Sequence, residues 1–321
     1  MYSFNAPASV IEISCWKWRS RIFFFIEYPF ANHRDEQDST GKIAVIGGCR
    51  EYTGAPYFAA ISALKIRCCS SYKSYSPELI VHPVLEESYS VRDEEKHLSV
   101  LRFLVKSTSG WKGLIALLLV LVLEDPFLLD CVGEIMRQAR ESKIPTVIDG
   151  DGLFLVTNNL DLVKGNTLAI LTPNINEYKR LVEKALGCEI NDQDASQQLA
   201  SLASQIGGPT ILRKGKTDLI SDGLTVDEVD IFGSPRRCGG QGDILSGSVA
   251  VFSSWARQRL TLVEESYKLS NVNPMVLGSI AGSALLRKAA SLAYANKKRS
   301  TLTTDIIDYL GRSLEHICPA S

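Results

Sequence analysis

From residue 41 onward, short runs of consecutive apolar residues alternate with longer segments whose apolar positions recur every three or four residues. The first kind reads as strand and the second as helix. Residues 42–48 (KIAVIGG) form a strand running into a glycine turn. Residues 55–66 (APYFAAISALKI) have helical spacing, and Pro56 suits a first turn, where its missing N–H has no partner to lose. Further strands fall at 114–123 (LIALLLVLVL), 144–149, 168–171 and 209–213, with helices at 126–142, 174–185 and 193–206. Continuously apolar strands separated by helices imply an α/β fold with a mostly parallel central sheet and helices on both faces. Between 209 and 232, shorter β-like pieces around Lys216, Gly223 and Gly233 predict a small antiparallel meander. The helical pattern then returns at 243–257, 274–298 and 303–318.

This organisation gives one domain over 41–321, preceded by residues 1–40 as an extension of different character. The extension carries Trp16, Trp18 and the cluster 23–25 (FFF), then a polar acidic stretch. Glu12 and Glu27 count against an organellar leader, since such leaders are poor in acids, and a loosely held terminus is expected. The ten-residue run 114–123 is too short for a membrane helix, which needs about twenty, so no membrane partner is expected.

Composition narrows the function. The chain has 321 residues, 35 Lys+Arg against 36 Asp+Glu and 45% apolar residues, an ordinary globular balance. With no positive excess, a nucleic-acid partner is not expected. Eight cysteines without a CxxC pair fit reduced thiols in the cytoplasm, with a plastid or mitochondrion as the alternative if residues 1–40 act as a leader. With four histidines and no HExxH spacing, a histidine-built zinc site is not expected.

The segment 233–247 (GSPRRCGGQGDILSG) carries the chemistry. Gly239, Gly240 and Gly242 clear side chains from a turn, and Asp243 stands at the start of a helix. Backbone N–H groups at such a helix start form a cradle for a phosphate. The Asp243 carboxylate beside it is suited to take a proton from a substrate hydroxyl, and Arg236 and Arg237 add positive charge. The bland alternative is a capping Asp after a glycine loop. Elsewhere, Asn174 with Glu177 three residues later reads as a capping box, and Lys214-Gly215 as a turn after a strand. Asp149 and Asp151 suit either a water-mediated magnesium ion near phosphates or strand-end turn positions.

Six segments, 47–65 (GGCREYTGAPYFAAISALK), 75–85 (YSPELIVHPVL), 147–153 (VIDGDGL), 171–181 (LTPNINEYKRL), 213–218 (RKGKTD) and 233–247, together closely resemble the ATP-dependent NAD(P)H-hydrate dehydratases of the ribokinase-like superfamily, in their eukaryotic form. The resemblance implies a ribokinase-like fold and a repair reaction in which ATP drives loss of water from (6S)-NADHX or (6S)-NADPHX, restoring NADH or NADPH. It implies Asp243 as the base. ATP would meet Lys214, Gly215, Lys216, Thr217 and Asp218, and then Gly233, Ser234, Pro235, Arg236, Arg237, Cys238, Gly239, Gly240, Gln241 and Gly242. The hydrate would meet Asn174, Ile175, Asn176, Glu177, Tyr178, Lys179, Arg180 and Asp243. Mg2+ is the implied cofactor and a homo-oligomer stays open.

Two stretches depart from the family pattern. After Ile66 only 67–74 (RCCSSYKS) stands where the family has a further strand, so one strand of the sheet is expected to be missing. Where the family carries a GPGLG turn that touches the hydrate, this chain has 119–123 (LVLVL), whose branched side chains cannot copy glycine's close backbone approach. Two other functions therefore compete: a small-molecule kinase on the same fold, and a nucleotide-binding variant of impaired activity.

Overall fold

The computed structural model describes residues 20–27, 42–47, 54–67, 79–86, 114–121, 126–264 and 273–318. The expectations for the remainder of 1–40, for 68–74 and for 122–123 lie outside the described residues. The strands are β1 (Ser20–Glu27), β2 (Lys42–Gly47), β3 (Leu79–Glu86), β4 (Leu114–Leu121), β5 (Thr146–Gly150), β6 (Ala169–Leu171), β7 (Thr210–Arg213), β8 (Asp218–Ser221) and β9 (Val226–Val229). Among the described residues they form one sheet in the order β3-β1-β2-β4-β5-β6-β7-β8-β9. The run from β2 to β7 is parallel, while β8 and β9 add the antiparallel meander.

The helices are α1 (Gly54–Arg67), α2 (Pro126–Glu141), α3 (Asp151–Asn158), α4 (Ile175–Leu186), α5 (Ala195–Ile206), α6 (Gln241–Glu264), α7 (Pro274–Lys297), α8 (Thr303–Asp308) and α9 (Leu310–Ile317). Strand alternation divides the core into two layers. Ile43, Val45, Ala116, Leu118 and Val147 face α1 and α6 to α9 on one side. Ala44, Ile46, Leu117, Leu119 and Ile148 face α2 to α5 on the other. Both faces are covered, which is why these strands read as unbroken apolar runs. Among the described residues no helix is long and apolar enough to cross a membrane.

Several expectations change. Part of the extension expected to be loosely held is a strand: β1 lies antiparallel between β2 and β3. A strand from before residue 41 thus pairs on both sides, and β3 is the edge strand. The β-like pieces around Lys216 and Gly233 are irregular, and the meander strands instead flank Gly223. The predicted helix 303–318 is broken at Tyr309 into α8 and α9. The short α3 went unpredicted because 149–151 (DGD) reads as a turn, yet Gly150 takes φ 57° and passes the chain straight from β5 into a helix.

Helices α6 and α7 pack at van der Waals limits. A Cβ on Gly278 would lie 2.4 Å from the Ser253 backbone, closer than any side chain tolerates. Gly278→Ala is therefore expected to force the two helices apart and lower unfolding free energy by about 1–3 kcal/mol, measured by chemical denaturation. An unchanged midpoint would show that the contact is not tight.

Candidate active site

Four elements bring polar groups to one end of the sheet. β5 delivers Asp149 at its carboxyl end, β7 is followed directly by Lys214, α4 starts after Asn174, and α6 opens with Gln241, Gly242 and Asp243. Crevices beyond the carboxyl ends of parallel strands are where α/β sheets bind ligands. Lys214 N–H donates to the Pro173 carbonyl at 2.9 Å, and Thr172 Oγ1 donates to the Ile148 carbonyl at 3.3 Å, so the loops after β6 and β7 are tied to each other and to β5.

At the centre stands a largely buried ion pair. Lys214 Nζ donates to Asp149 Oδ1 at 2.8 Å, with side chains 20% and 6% exposed. Ser246 Oγ, one turn into α6, donates to Asp149 Oδ2 at 2.7 Å. Burial pushes the Asp149 carboxyl up, but the Lys214 charge and the hydrogen bonds from Lys214, Ser246 and the Gly150 amide outweigh it, leaving it below its ordinary value. Lys214 is in turn held above its ordinary value: burial works against its charge, and Asp149 and Glu177 more than restore it.

Asp243 behaves oppositely. Burial and then the negative charge of Asp149 push its carboxyl up to about 7, against the pull of Lys214. Two neighbouring carboxyls are thus driven apart, one held ionised and the other brought into its titration range near pH 7. Asp243 is also not the cap of α6 but its third residue, inside the first turn, where helix amides have no intrahelical partner.

The glycine loop before α6 is held from the far end of the chain. Arg236 Nε and Cys238 Sγ both donate to the Thr301 carbonyl, at 2.8 and 3.2 Å, and Thr303 Oγ1 donates to the Gly239 carbonyl. Gly240 has φ 94°, and a Cβ there would lie 2.6 Å from the Phe58 ring. Only glycine satisfies both conditions.

A model of the NAD(P)H-hydrate dehydratase family matches residues 43–312. The chain belongs to that family. The NAD(P)H-hydrate dehydratase of Vitis vinifera, named ATP-dependent and (S)-specific, is 65% identical over 302 residues, covering 90% of this chain and 84% of that one. Among solved structures, a ribokinase-like superfamily protein from Enterococcus faecalis aligns with TM-score 0.55 at 17% identity, over 87% of both chains. An ADP/ATP-dependent NAD(P)H-hydrate dehydratase from Bacillus subtilis, co-crystallised with ATP and Mg2+, aligns with TM-score 0.54 at 12% identity, over 90% of this chain and 94% of that one. At these identities the structures establish the ribokinase-like fold.

Within this dehydratase fold the expected site residues divide. Lys214, Gly242 and Asp243 converge on Asp149, and Glu177 is close enough to feel Lys214, which partly offsets the upward push of burial on its carboxyl. Asn174 and Glu177 form the expected capping box: Asn174 Oδ1 accepts from the Asn176 and Glu177 amides, and Glu177 Oε2 accepts from the Asn174 amide at 2.7 Å. Ile175, Asn176, Lys179 and Arg180 are exposed, whereas Tyr178 is fully buried in the core with the Arg213 guanidinium 4.8 Å above its ring. Asp218 points inward rather than into the crevice, accepting from the Gly215 amide, Ser283 and Arg287. Arg236 and Arg237 are exposed on the glycine loop. Sequence reasoning passed over Ser246, three residues after Asp243, and had no signal for Thr301, Thr303 or Arg287, whose partners lie far along the chain.

The raised Asp243 carboxyl makes stability depend on pH. Its folded-state value, about 7, exceeds its ordinary 3.8, so folding favours the protonated form. That contribution is complete below the ordinary value and is lost as pH rises through about 7. Asp243→Asn, which cannot ionise, is expected to match the parent in acid and to gain a Tm advantage of a few degrees at mildly alkaline pH. Thermal melts across that range would contradict the assignment if the gap stayed constant or reversed.

Proposed function

We propose that this chain carries out ATP-dependent dehydration of (6S)-NADHX and (6S)-NADPHX, with residues 41–321 as the catalytic unit. The observation that carries this reading is the separation of the two carboxyls, with Asp149 held ionised by Lys214 and Asp243 balanced near neutrality. Asp243 accepts the proton of the substrate hydroxyl as its oxygen attacks the γ-phosphorus and ADP departs. Hydroxide is a poor leaving group, but the phosphate so formed is expelled by the lone pair of the ring nitrogen. Loss of a proton from the adjacent ring carbon restores the double bond.

In this reading the amides at the start of α6 and the Lys214 ammonium face the transferred phosphoryl group, where oriented dipoles and a fixed cation stabilise developing charge. The segments 214–218 and 233–242 line the ATP side, and the exposed face of α4 from Asn174 to Arg180 lines the hydrate side. Asp149 suits contact with a magnesium ion through water, the role weighed for it with Asp151, better than direct ligation. Both oxygens of Asp149 already accept hydrogen bonds, and among the described residues no three His, Cys, Asp or Glu side chains gather for a metal. Mg2+ accompanying ATP would be held by phosphates and water, as that ion prefers. The thiols of Cys188, Cys238 and Cys318, none of them in a disulfide, fit a reducing compartment such as the cytoplasm.

One observation favours a second reading, nucleotide binding without turnover: β4 runs on to Leu121, with Val120 level with Asp149 and Leu121 level with Gly150. Apolar strand therefore stands beside the site where the family resemblance implies a glycine turn.

The test is ATP-dependent recovery of reduced-nicotinamide absorbance from hydrated NADH. The parent is expected to turn over, with kcat rising with pH through about 7 as Asp243 loses its proton, and Asp243→Asn is expected to lower kcat by about 10²–10⁴-fold. Phosphate should appear with ADP, whereas a stable phosphorylated product would identify a kinase. ATP binding without turnover in the parent would establish the second reading.

A further inference from the structure

Arg287, in the middle of α7, is 11% exposed and lies outside every segment that the sequence singled out. Its guanidinium is fully committed. Nε donates to Asp218 Oδ2 at 2.9 Å, and Nη2 lies 2.8 Å from Asp218 Oδ1, a two-pronged grip on one carboxylate. Nη2 also donates to the Gly215 carbonyl at 2.9 Å, and Nη1 to the carbonyls of Lys216 at 2.8 Å and Ile231 at 3.2 Å. Asp218 is 5% exposed and receives two further hydrogen bonds, from the Gly215 amide at 2.9 Å and from Ser283 Oγ at 2.7 Å.

The acceptors belong to two segments that α7 itself does not join. Gly215 and Lys216 form the turn between β7 and β8, immediately after Lys214. Ile231 follows β9 and leads into the glycine loop. A simple buried ion pair would need only Asp218, but this guanidinium directs its remaining donors to main-chain carbonyls of both segments. A planar fork with donors in fixed directions can do this and a lysine ammonium cannot.

We propose that Arg287 is a positioning residue of the ATP site: with Asp218 as its counter-ion, it fixes the spacing between the 214–218 turn and the segment entering the glycine loop. Arg287 acts through those loops and not on the reacting atoms. The inference rests on the reading of these two segments as the ATP side of the site.

The experiment measures ATP affinity by calorimetry and the KM for each substrate in the parent, in Arg287→Lys, and in the double variant Arg287→Met with Asp218→Asn, which removes both buried charges together. Thermal melts establish that each variant is folded. Both variants are expected to weaken ATP, in Kd and in KM, by roughly tenfold or more, the worth of lost charge-assisted hydrogen bonds. The KM for the hydrate should stay within about twofold, since a positioning role on one side of the site leaves the other substrate's binding intact. A folded Arg287→Lys with the parent's ATP affinity overturns the proposal. So does a parallel rise in both KM values, or failure of both variants to fold, because either outcome makes Arg287 a general stability element. A parent that does not bind ATP at all overturns the assignment of the two segments, and this inference with it, before any variant is compared.

Discussion

The site is organised around the ion pair between Asp149 and Lys214. Asp149 closes the central strand β5, Lys214 follows β7, and Ser246 brings the first turns of α6 onto the same carboxylate. One side chain therefore fixes three elements that meet only in the folded sheet. A largely buried pair is retained at a desolvation cost, which apolar residues of the same volume would avoid. Its value lies in what it positions: an ionised group beside Asp243 and a cation facing the crevice.

That arrangement explains how two neighbouring aspartates are shifted in opposite directions. Lys214 satisfies Asp149 directly and Asp243 only through space, so the negative charge left on Asp149 acts on Asp243 in the opposite sense to the lysine. Burial is the larger cause, and the two together push the Asp243 carboxyl up to about 7. In the proposed reaction Asp243 is a base that must release its proton readily after accepting it, and a carboxyl at its ordinary value would hold a proton too weakly to help at pH 7.

Much of the fold was legible because both faces of the sheet are covered, so β2, β4, β5 and β7 announce themselves as apolar runs and the intervening helices as periodic ones. The short α3 was hidden because a positive-φ Gly150 makes a strand-to-helix passage look like a turn. β1 was hidden because nothing local marks a strand whose partners, β2 and β3, are met only in the folded sheet. At the site, Asp243 and the glycine loop could be found because they are adjacent in sequence, and Asn174 with Glu177 because a capping box has fixed spacing. The Asp149–Lys214 pair spans 65 residues and the Arg287–Asp218 pair 69, and no pattern in a single sequence records such meetings. Tyr178 shows the reverse difficulty: a run of consecutive residues on a helix cannot all face one ligand, and the helical period turns this one into the core.

Sheet order also weighs the two departures from the family pattern differently. β1 and β3 sit at one edge, separated from β5 by β2 and β4, while the groups of the site come from β5, β7 and the helices that follow β6 and β9. A changed strand at that edge alters what completes the sheet without moving a polar group of the crevice. β4 has no such distance. It pairs with β5 along its described end, with Val120 opposite Asp149 and Leu121 opposite Gly150, so its backbone lies beside the carboxylate that anchors the site. The apolar run there is consequential because of its neighbour in the sheet: β4 ends level with the carboxylate that anchors the site, whereas β2 and β4 stand between β5 and the strands β1 and β3.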